Sequence, residues 1–329
     1  MKTKIKNFFK ENYKFILFII LIAVFFNIKL PYYIMAPGGS INITDRVLMD
    51  DYQKDKEGSL NMLYVAEYEA TPASMLLAKL KNWEIDKNEE RQITDESVSD
   101  IEKRNKIMRD NSLDIATLVA YTEAGKKITI TEEKNIVIAT TMDNGLEVGD
   151  VIVEADGKKC KNIDEIKEVI SSKEVDDYIE FKVIRDNDEK KIKSRVVLDN
   201  NTKVIGVVII TEYDYDKEPE VDIKFKDSES GSSGGLMLAL TIYNAISGED
   251  IIKERNIAGT GTISVDGTVG EIDGIKYKIM GAAEDNMDIV LVPEDNYEEA
   301  IRIKNTYNYD MEIIMVKTFR EAINYLNES

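Results

Sequence analysis

The sequence predicts a mixed α/β chain: one apolar helix at the amino terminus, a mostly-β middle, and a carboxy-terminal third in which strands and helices alternate. Three observations carry this reading. An unbroken apolar run, Phe15–Phe26, follows a lysine-rich start. From Lys126 the apolar period changes from helical to two. Beyond residue 200, short β-branched runs alternate with amphipathic stretches, the pattern of a compact α/β unit. With 329 residues, 43% apolar and 32% charged, the chain is long enough for two or three units that each bury a core.

The net charge of −19 is unevenly spread. Residues 1–30 hold six lysines and one acid, Glu11, and carry +5, so the remainder carries −24. A body this acidic is unsuited to nucleic acid, whose binding needs Lys and Arg to replace phosphate counterions. The complete absence of histidine removes Ser-His-Asp and Cys-His catalysis and most zinc sites. The single cysteine, Cys160, excludes a disulfide framework within the chain, and without a histidine partner it reads as structural. No cofactor and no metal is expected.

At the amino terminus, Phe15–Phe26 is short for a membrane span unless Lys14 and Lys29 snorkel. A cleaved signal peptide and a buried core helix are the alternatives, but no small-x-small cleavage site follows closely. The expectation is an uncleaved, single-pass signal-anchor. The lysines put the amino terminus in the cytoplasm and the body outside, with Tyr32 and Tyr33 as interfacial aromatics. Pro37-Gly38-Gly39-Ser40 then breaks the chain. A strand is expected at Leu60–Val65, a helix at Pro72–Leu80, a solvated connecting helix over 84–111, and a helix at Ser112–Ala124 ended by Gly125.

Strand-like runs follow at Lys127–Thr131, Ile136–Thr140, Val151–Ala155, Tyr178–Ile184 and Ile192–Leu198, with a helix at Ile163–Ile170. Gly145-Leu146-Glu147-Val148-Gly149-Asp150-Val151-Ile152, followed by Asp156-Gly157-Lys158, resembles PDZ domains, in which such a string closes a turn and opens a strand ending in an Asp-Gly hairpin. The resemblance implies capture of extended peptides by strand addition. It puts a carboxylate-binding loop at Glu133–Ile136, although the usual Gly-hydrophobic pattern is missing there.

Ser228-Glu229-Ser230-Gly231-Ser232-Ser233-Gly234-Gly235 leads into an apolar helix. Glycines let a backbone bend sharply, and a serine at a helix amino terminus sits where the dipole favours an oxyanion. Alone, this string reads first as a helix cap behind a flexible turn. The second segment runs Ile257-Ala258-Gly259-Thr260-Gly261-Thr262-Ile263, then Gly267-Thr268-Val269-Gly270-Glu271-Ile272-Asp273-Gly274-Ile275-Lys276-Tyr277-Lys278. Together the two resemble the catalytic core of Lon-type peptidases. The resemblance implies Ser233 as nucleophile, Lys278 rather than Lys276 as general base, and Thr260 as the hydroxyl that orients the lysine. Gly231, Ser232 and Gly234 then support the nucleophile loop. Ser232 and Gly234 stand where the family has Pro and Ala, and Asp273 where it has Gly. Ser232 stays open as an alternative nucleophile.

The order of elements resembles the membrane-anchored PDZ–Lon peptidases of Gram-positive bacteria. It implies an α/β (α+β) Lon-type proteolytic domain with an inserted mostly-β PDZ domain and one transmembrane helix. The expected divisions are a tail and anchor at 1–30, a strand/helix segment at 31–117, a PDZ domain at 118–200 and a proteolytic domain at 201–329. No G-x-x-x-x-G-K-[ST] string occurs, so the expected activity is ATP-independent serine endopeptidase action on secreted or surface peptides or unfolded proteins. The expected partners are peptide, membrane and a second copy of the chain. The contrasting reading is a catalytically inactive PDZ scaffold on the membrane, motivated by the substitutions at Ser232, Gly234 and Asp273.

Overall fold

The computed structural model describes residues 2–50, 57–87, 97–226, 229 and 231–328. The elements in chain order begin with α1 (Lys2–Asn27), β1 (Tyr32–Asn42), β2 (Val47–Leu48), β3 (Ser59–Glu69), α2 (Pro72–Lys81), β4 (Glu84–Lys87) and α3 (Val98–Glu123). The middle holds β5 (Lys127–Thr140), β6 (Val151–Ala155), β7 (Lys158–Lys159), α4 (Ile163–Ser171), β8 (Tyr178–Arg185), β9 (Asp188–Arg195), β10 (Val197–Asp199), β11 (Thr202–Val204) and β12 (Val207–Glu218). Then come β13 (Asp222–Ile223), α5 (Gly235–Ser247), β14 (Asn256–Gly259), β15 (Thr262–Ile263), β16 (Val269–Gly270), α6 (Ile275–Glu284), β17 (Ile289–Pro293), α7 (Glu294–Tyr307), β18 (Glu312–Val316) and α8 (Phe319–Glu328). They form two compact units, Met1–Gly38 with Tyr64–Gln92, and Gly39–Leu63 with Ile93–Ser329.

In the smaller unit, β1 pairs antiparallel with β4, from Tyr32↔Lys87 to Met35↔Glu84. Helix α2 starts on a capping box, with Thr71 and Ser74 satisfying each other's backbone N–H, and Pro72 supplies the preset φ of a first turn. Ile34, Ala70 and Ala78 form its core with Trp83 and Ile85.

The expected transmembrane anchor is overturned here: among the described residues no helix is long and apolar enough to cross a membrane. Helix α1 has 26 residues, but only the twelve of Phe15–Phe26 are unbroken apolar. Twelve residues rise about 18 Å, against about 30 Å of hydrocarbon. The single-pass topology and the localisation drawn from that anchor are overturned with it, and the membrane as partner loses its support. Tyr32 and Tyr33 are strand residues in β1 rather than an interfacial belt. The Pro37–Ser40 break is absent too, since β1 runs through it to Asn42.

In the larger unit, β3 (at Ser59–Met62), β14, β17 and β18 run parallel as neighbours. Alternation along these strands separates two faces. Leu60, Ile257, Ile289 and Leu291 enter one core with α3, α5 and α8, while Leu63, Ala258, Val290, Val292 and Ile313 enter another with α6 and α7. The result is a helix–sheet–helix sandwich. The connecting helix expected over 84–111 is replaced by β4 at its start and α3 from Val98, with residues 88–96 outside the described residues. Helix α3 continues through residue 117 to Glu123, burying Ala116, Val119, Ala120 and Tyr121 beside α5.

The middle of the chain forms a sheet in the order β12-β5-β6-β8-β9, with β7 paired to β6. Helix α4 closes its core through Ile166 and Ile170, against Val137, Ile152, Phe181 and Val183. Asp156 and Gly157 turn with φ of 50° and 76°, the geometry of a tight hairpin and one that glycine reaches without strain. Arg185, buried, donates to both Asp150 oxygens at 2.6 Å and to the Gly145 carbonyl at 3.0 Å, fixing the turn that the sequence string announces.

Candidate active site

Two stretches of chain meet at the carboxy-terminal end of β14. From the first, Gly261 N–H donates to the Ser233 carbonyl at 2.8 Å, and Leu236 N–H donates back to the Gly261 carbonyl at 3.1 Å. This exchange seats the start of α5 on the strand end. Gly235 makes the approach possible, because a Cβ there would lie 2.8 Å from the Ile263 side chain and 3.0 Å from Ser112 Oγ. Ser233 is half-buried, and Gly231 turns the chain before it with φ of 92°. Ser228 and Ser230 lie outside the described residues.

From the second stretch, α6 presents Lys278 inward together with Ile275, Ile279 and Ala282. The helix begins on Gly274 at φ 70° and is held at its entrance by Asn296. The Asn296 side chain accepts from Ile272 N–H at 3.0 Å and donates to the Ile272 carbonyl at 2.9 Å. Lys278 is 3% exposed, and its Nζ donates to Thr260 Oγ1 at 3.0 Å. The fully buried Thr260 hydroxyl in turn donates to the Ser233 carbonyl at 3.1 Å. Burial pulls the Lys278 pKa down to about 8, with the Asp273 carboxylate working weakly the other way. A group that carries a charge at the usual lysine pKa is thereby poised to exchange a proton near neutral pH.

Of the residues singled out in the sequence, Ser233, Thr260 and Lys278 are brought together through this hydrogen-bonded chain. It runs through the Ser233 carbonyl rather than its hydroxyl. Lys276 is half-buried elsewhere on the helix, its Nζ 4.8 Å from the Tyr277 ring centroid. The Ser232 carbonyl accepts from Gly235 N–H at 3.2 Å and from Ser112 Oγ at 3.3 Å. Cys160 is buried in the β-rich core, and burial raises its thiol pKa, which keeps it protonated and unreactive. Asn296 and Ser112 carry no signal in the sequence, since their partners are backbone atoms 24 and 120 residues away.

The carboxylate-binding loop expected at Glu133–Ile136 is not a loop. Those residues lie inside β5, paired with Tyr213–Ile210 of β12 on one side and, at Asn135 and Ile136, with β6 on the other. An apolar groove of about 780 Å³ opens elsewhere, between α4 and the β11–β12 segment, lined by Ile163, Ile166, Ile170, Val207, Val208 and Ile209. Strand β12 is at the edge of its sheet and borders this groove.

The class these features define is that of the serine peptidases. Residues 215–328 match the Lon protease (S16) C-terminal proteolytic domain, and residues 118–196 match the PDZ domain, so the chain contains both. Among curated relatives, the Lon protease of Neorickettsia sennetsu is 33% identical over 98 residues, 30% of this chain and 12% of that protein. The Lon protease of Campylobacter jejuni is 28% identical over 149 residues, 44% of this chain and 17% of that protein. The chain therefore spans less than a fifth of the length of these relatives. A solved PDZ domain of an SdrC-like protein from Listeria monocytogenes is 24% identical, covering 25% of this chain and 93% of that one, with a TM-score of 0.23.

Proposed function

We propose that this chain is an ATP-independent serine endopeptidase that uses Ser233 as nucleophile and Lys278 as general base on extended or unfolded polypeptides. The observation that carries the reading is the buried Lys278 ammonium, depressed to a pKa of about 8 and joined through Thr260 to the backbone of Ser233. In the absence of histidine, a desolvated lysine is the base a serine hydroxyl requires. Neutral Lys278 takes the Ser233 proton as Oγ attacks the scissile carbonyl, then gives it to the leaving amine. Water hydrolyses the acyl-enzyme with the same lysine as base. The Ser233 and Gly234 N–H groups lie at the amino terminus of α5, where the helix dipole favours an oxyanion. The ATP-independent reading rests on this sequence carrying no G-x-x-x-x-G-K-[ST] string, since Gly125-Lys126 has neither the upstream Gly nor the following Ser/Thr. The apolar groove beside edge strand β12 suits an extended peptide added as a further strand.

Cleavage of fluorescein-labelled casein tests the assignment. Ser233→Ala is expected to be inert, and Ser232→Ala to retain most activity; the opposite pair of results moves the nucleophile by one residue. Lys278→Arg keeps the charge but cannot lose it, so it is expected to be as inert as Lys278→Ala, and an active Lys278→Arg sinks the dyad. Wild-type kcat should rise with pH through an inflection near the lysine value of about 8, and ATP with magnesium should leave it unchanged.

A further inference from the structure

Asn111 and Ser112 are consecutive on α3, about 100° apart around its axis, and their side chains reach in two directions. Asn111 Nδ2 donates to the Thr211 carbonyl of β12 at 2.6 Å, while Ser112 Oγ donates to the Ser232 carbonyl at 3.3 Å. Both are buried, at 9% and 5% exposure. The helical period assigns the faces. Asp114, three residues after Asn111, accepts from the Tyr215 hydroxyl of β12 at 3.1 Å. Ala116 and Val119, four and seven residues after Ser112, enter the core beside α5.

The direction of the Ser112 hydroxyl is informative. A hydroxyl within a helix commonly bonds back to the carbonyl four residues earlier, and Thr117 and Thr122 on this helix do so, to Leu113 and Leu118. Ser112 instead spends its proton on the residue preceding Ser233. Asn111 is likewise a weak helix former whose amide serves a strand rather than its own helix. Thr211 lies two residues beyond Ile209, which lines the apolar groove.

We propose that Asn111 and Ser112 are a positioning pair. Ser112 fixes the Ser232 carbonyl, and so the backbone that presents the Ser233 hydroxyl. Asn111 ties the same turn of α3 to β12, the strand bordering the groove. A peptide added to the edge of β12 orders that strand, and the pair carries the ordering to the nucleophile loop. The inference rests on Ser233 being the nucleophile.

The test measures casein cleavage by Ser112→Ala, Asn111→Ala and the double variant. Ser112→Ala is expected to lower kcat about five- to tenfold, the scale of one buried hydrogen bond, with KM changed less than about twofold. Asn111→Ala should lower it by a smaller factor. The double variant should be no slower than Ser112→Ala, because a cut link cannot be cut again; losses that multiply overturn the pairing. Hydrogen exchange gives a reading independent of turnover: both single variants should speed exchange severalfold in peptides covering Ser232–Leu236, and unchanged exchange overturns the proposal. Ser233→Ala, run alongside, separates the claims. If it stays active, the nucleophile reading and this inference fall together. If it is inert while Ser112→Ala is fully active, this inference alone falls.

Discussion

Burying the Lys278 ammonium costs stability. Its folded pKa of about 8 lies below the ordinary 10.5, so the unfolded chain binds more protons across that interval and stability rises with pH through it. Below pH 8 the cost of the buried, charged form is present in full. Lys278→Met should therefore be more stable than wild type at pH 7 by about 2–3 kcal/mol, with the difference fading above pH 10.5. Denaturant melts of both proteins across this range check it, and a variant less stable at pH 7 contradicts the burial argument. Thr260 tests the same environment from the other side. Thr260→Val removes the only described partner of Lys278 Nζ and the hydroxyl bonded to the Ser233 carbonyl, and it should shift the pH inflection of kcat as well as lower kcat. Thr260→Ser keeps both bonds and should retain the wild-type profile.

At the scale of elements, α6 is positioned by its packing against its own helix propensity. Replacing a helical glycine by alanine ordinarily gains up to about 1 kcal/mol. At Gly281 the sign reverses, because a Cβ would meet the backbone of Gly39 at 2.6 Å from its nitrogen and 2.8 Å from its Cα. Backbone cannot swing aside as a side chain can, so Gly281→Ala should destabilise by about 1–3 kcal/mol and lower kcat through displacement of Lys278. A thermal melt unchanged from wild type would contradict this. The same contrast explains what the sequence disclosed. Strands β6 and β8 and helices α2 and α4 stand within a residue or two of the apolar runs at Val151–Ala155, Tyr178–Ile184, Pro72–Leu80 and Ile163–Ile170, because burial there follows a clean period. The continuity of β1 through Pro37–Ser40, of β5 through Glu133–Ile136 and of β12 to Glu218 was hidden. Those segments are polar or glycine-bearing, and in β5 and β12 they are strands because each is the other's partner. Ser233, Thr260 and Lys278 were legible through their glycine-rich motifs, whereas Asn296, Asn111 and Ser112 bond to backbone, which leaves no residue-type signature.

At the scale of the whole molecule, the β-rich domain joins the proteolytic core through β5 and β12, which pair antiparallel from Lys127↔Glu218 to Thr140↔Val207. One end of that ribbon approaches α3 through Asn111 and Tyr215, and the other borders the groove through Val207–Ile209. An occupied groove would therefore hold a long substrate to the same structural element that braces the nucleophile loop. A short substrate that does not enter the groove gains nothing from it. Val208 isolates this effect: it lines the groove, is 42% exposed and lies on an edge strand, so a polar replacement disturbs little of the core. Val208→Asp should raise KM for fluorescein-labelled casein about tenfold, the scale of losing one apolar contact and desolvating a carboxylate. Its kcat/KM for a fluorogenic tetrapeptide and its melting temperature should match wild type. Equal losses on both substrates would mean that the substitution acts through the fold, and equal retention would mean that the groove holds something other than substrate.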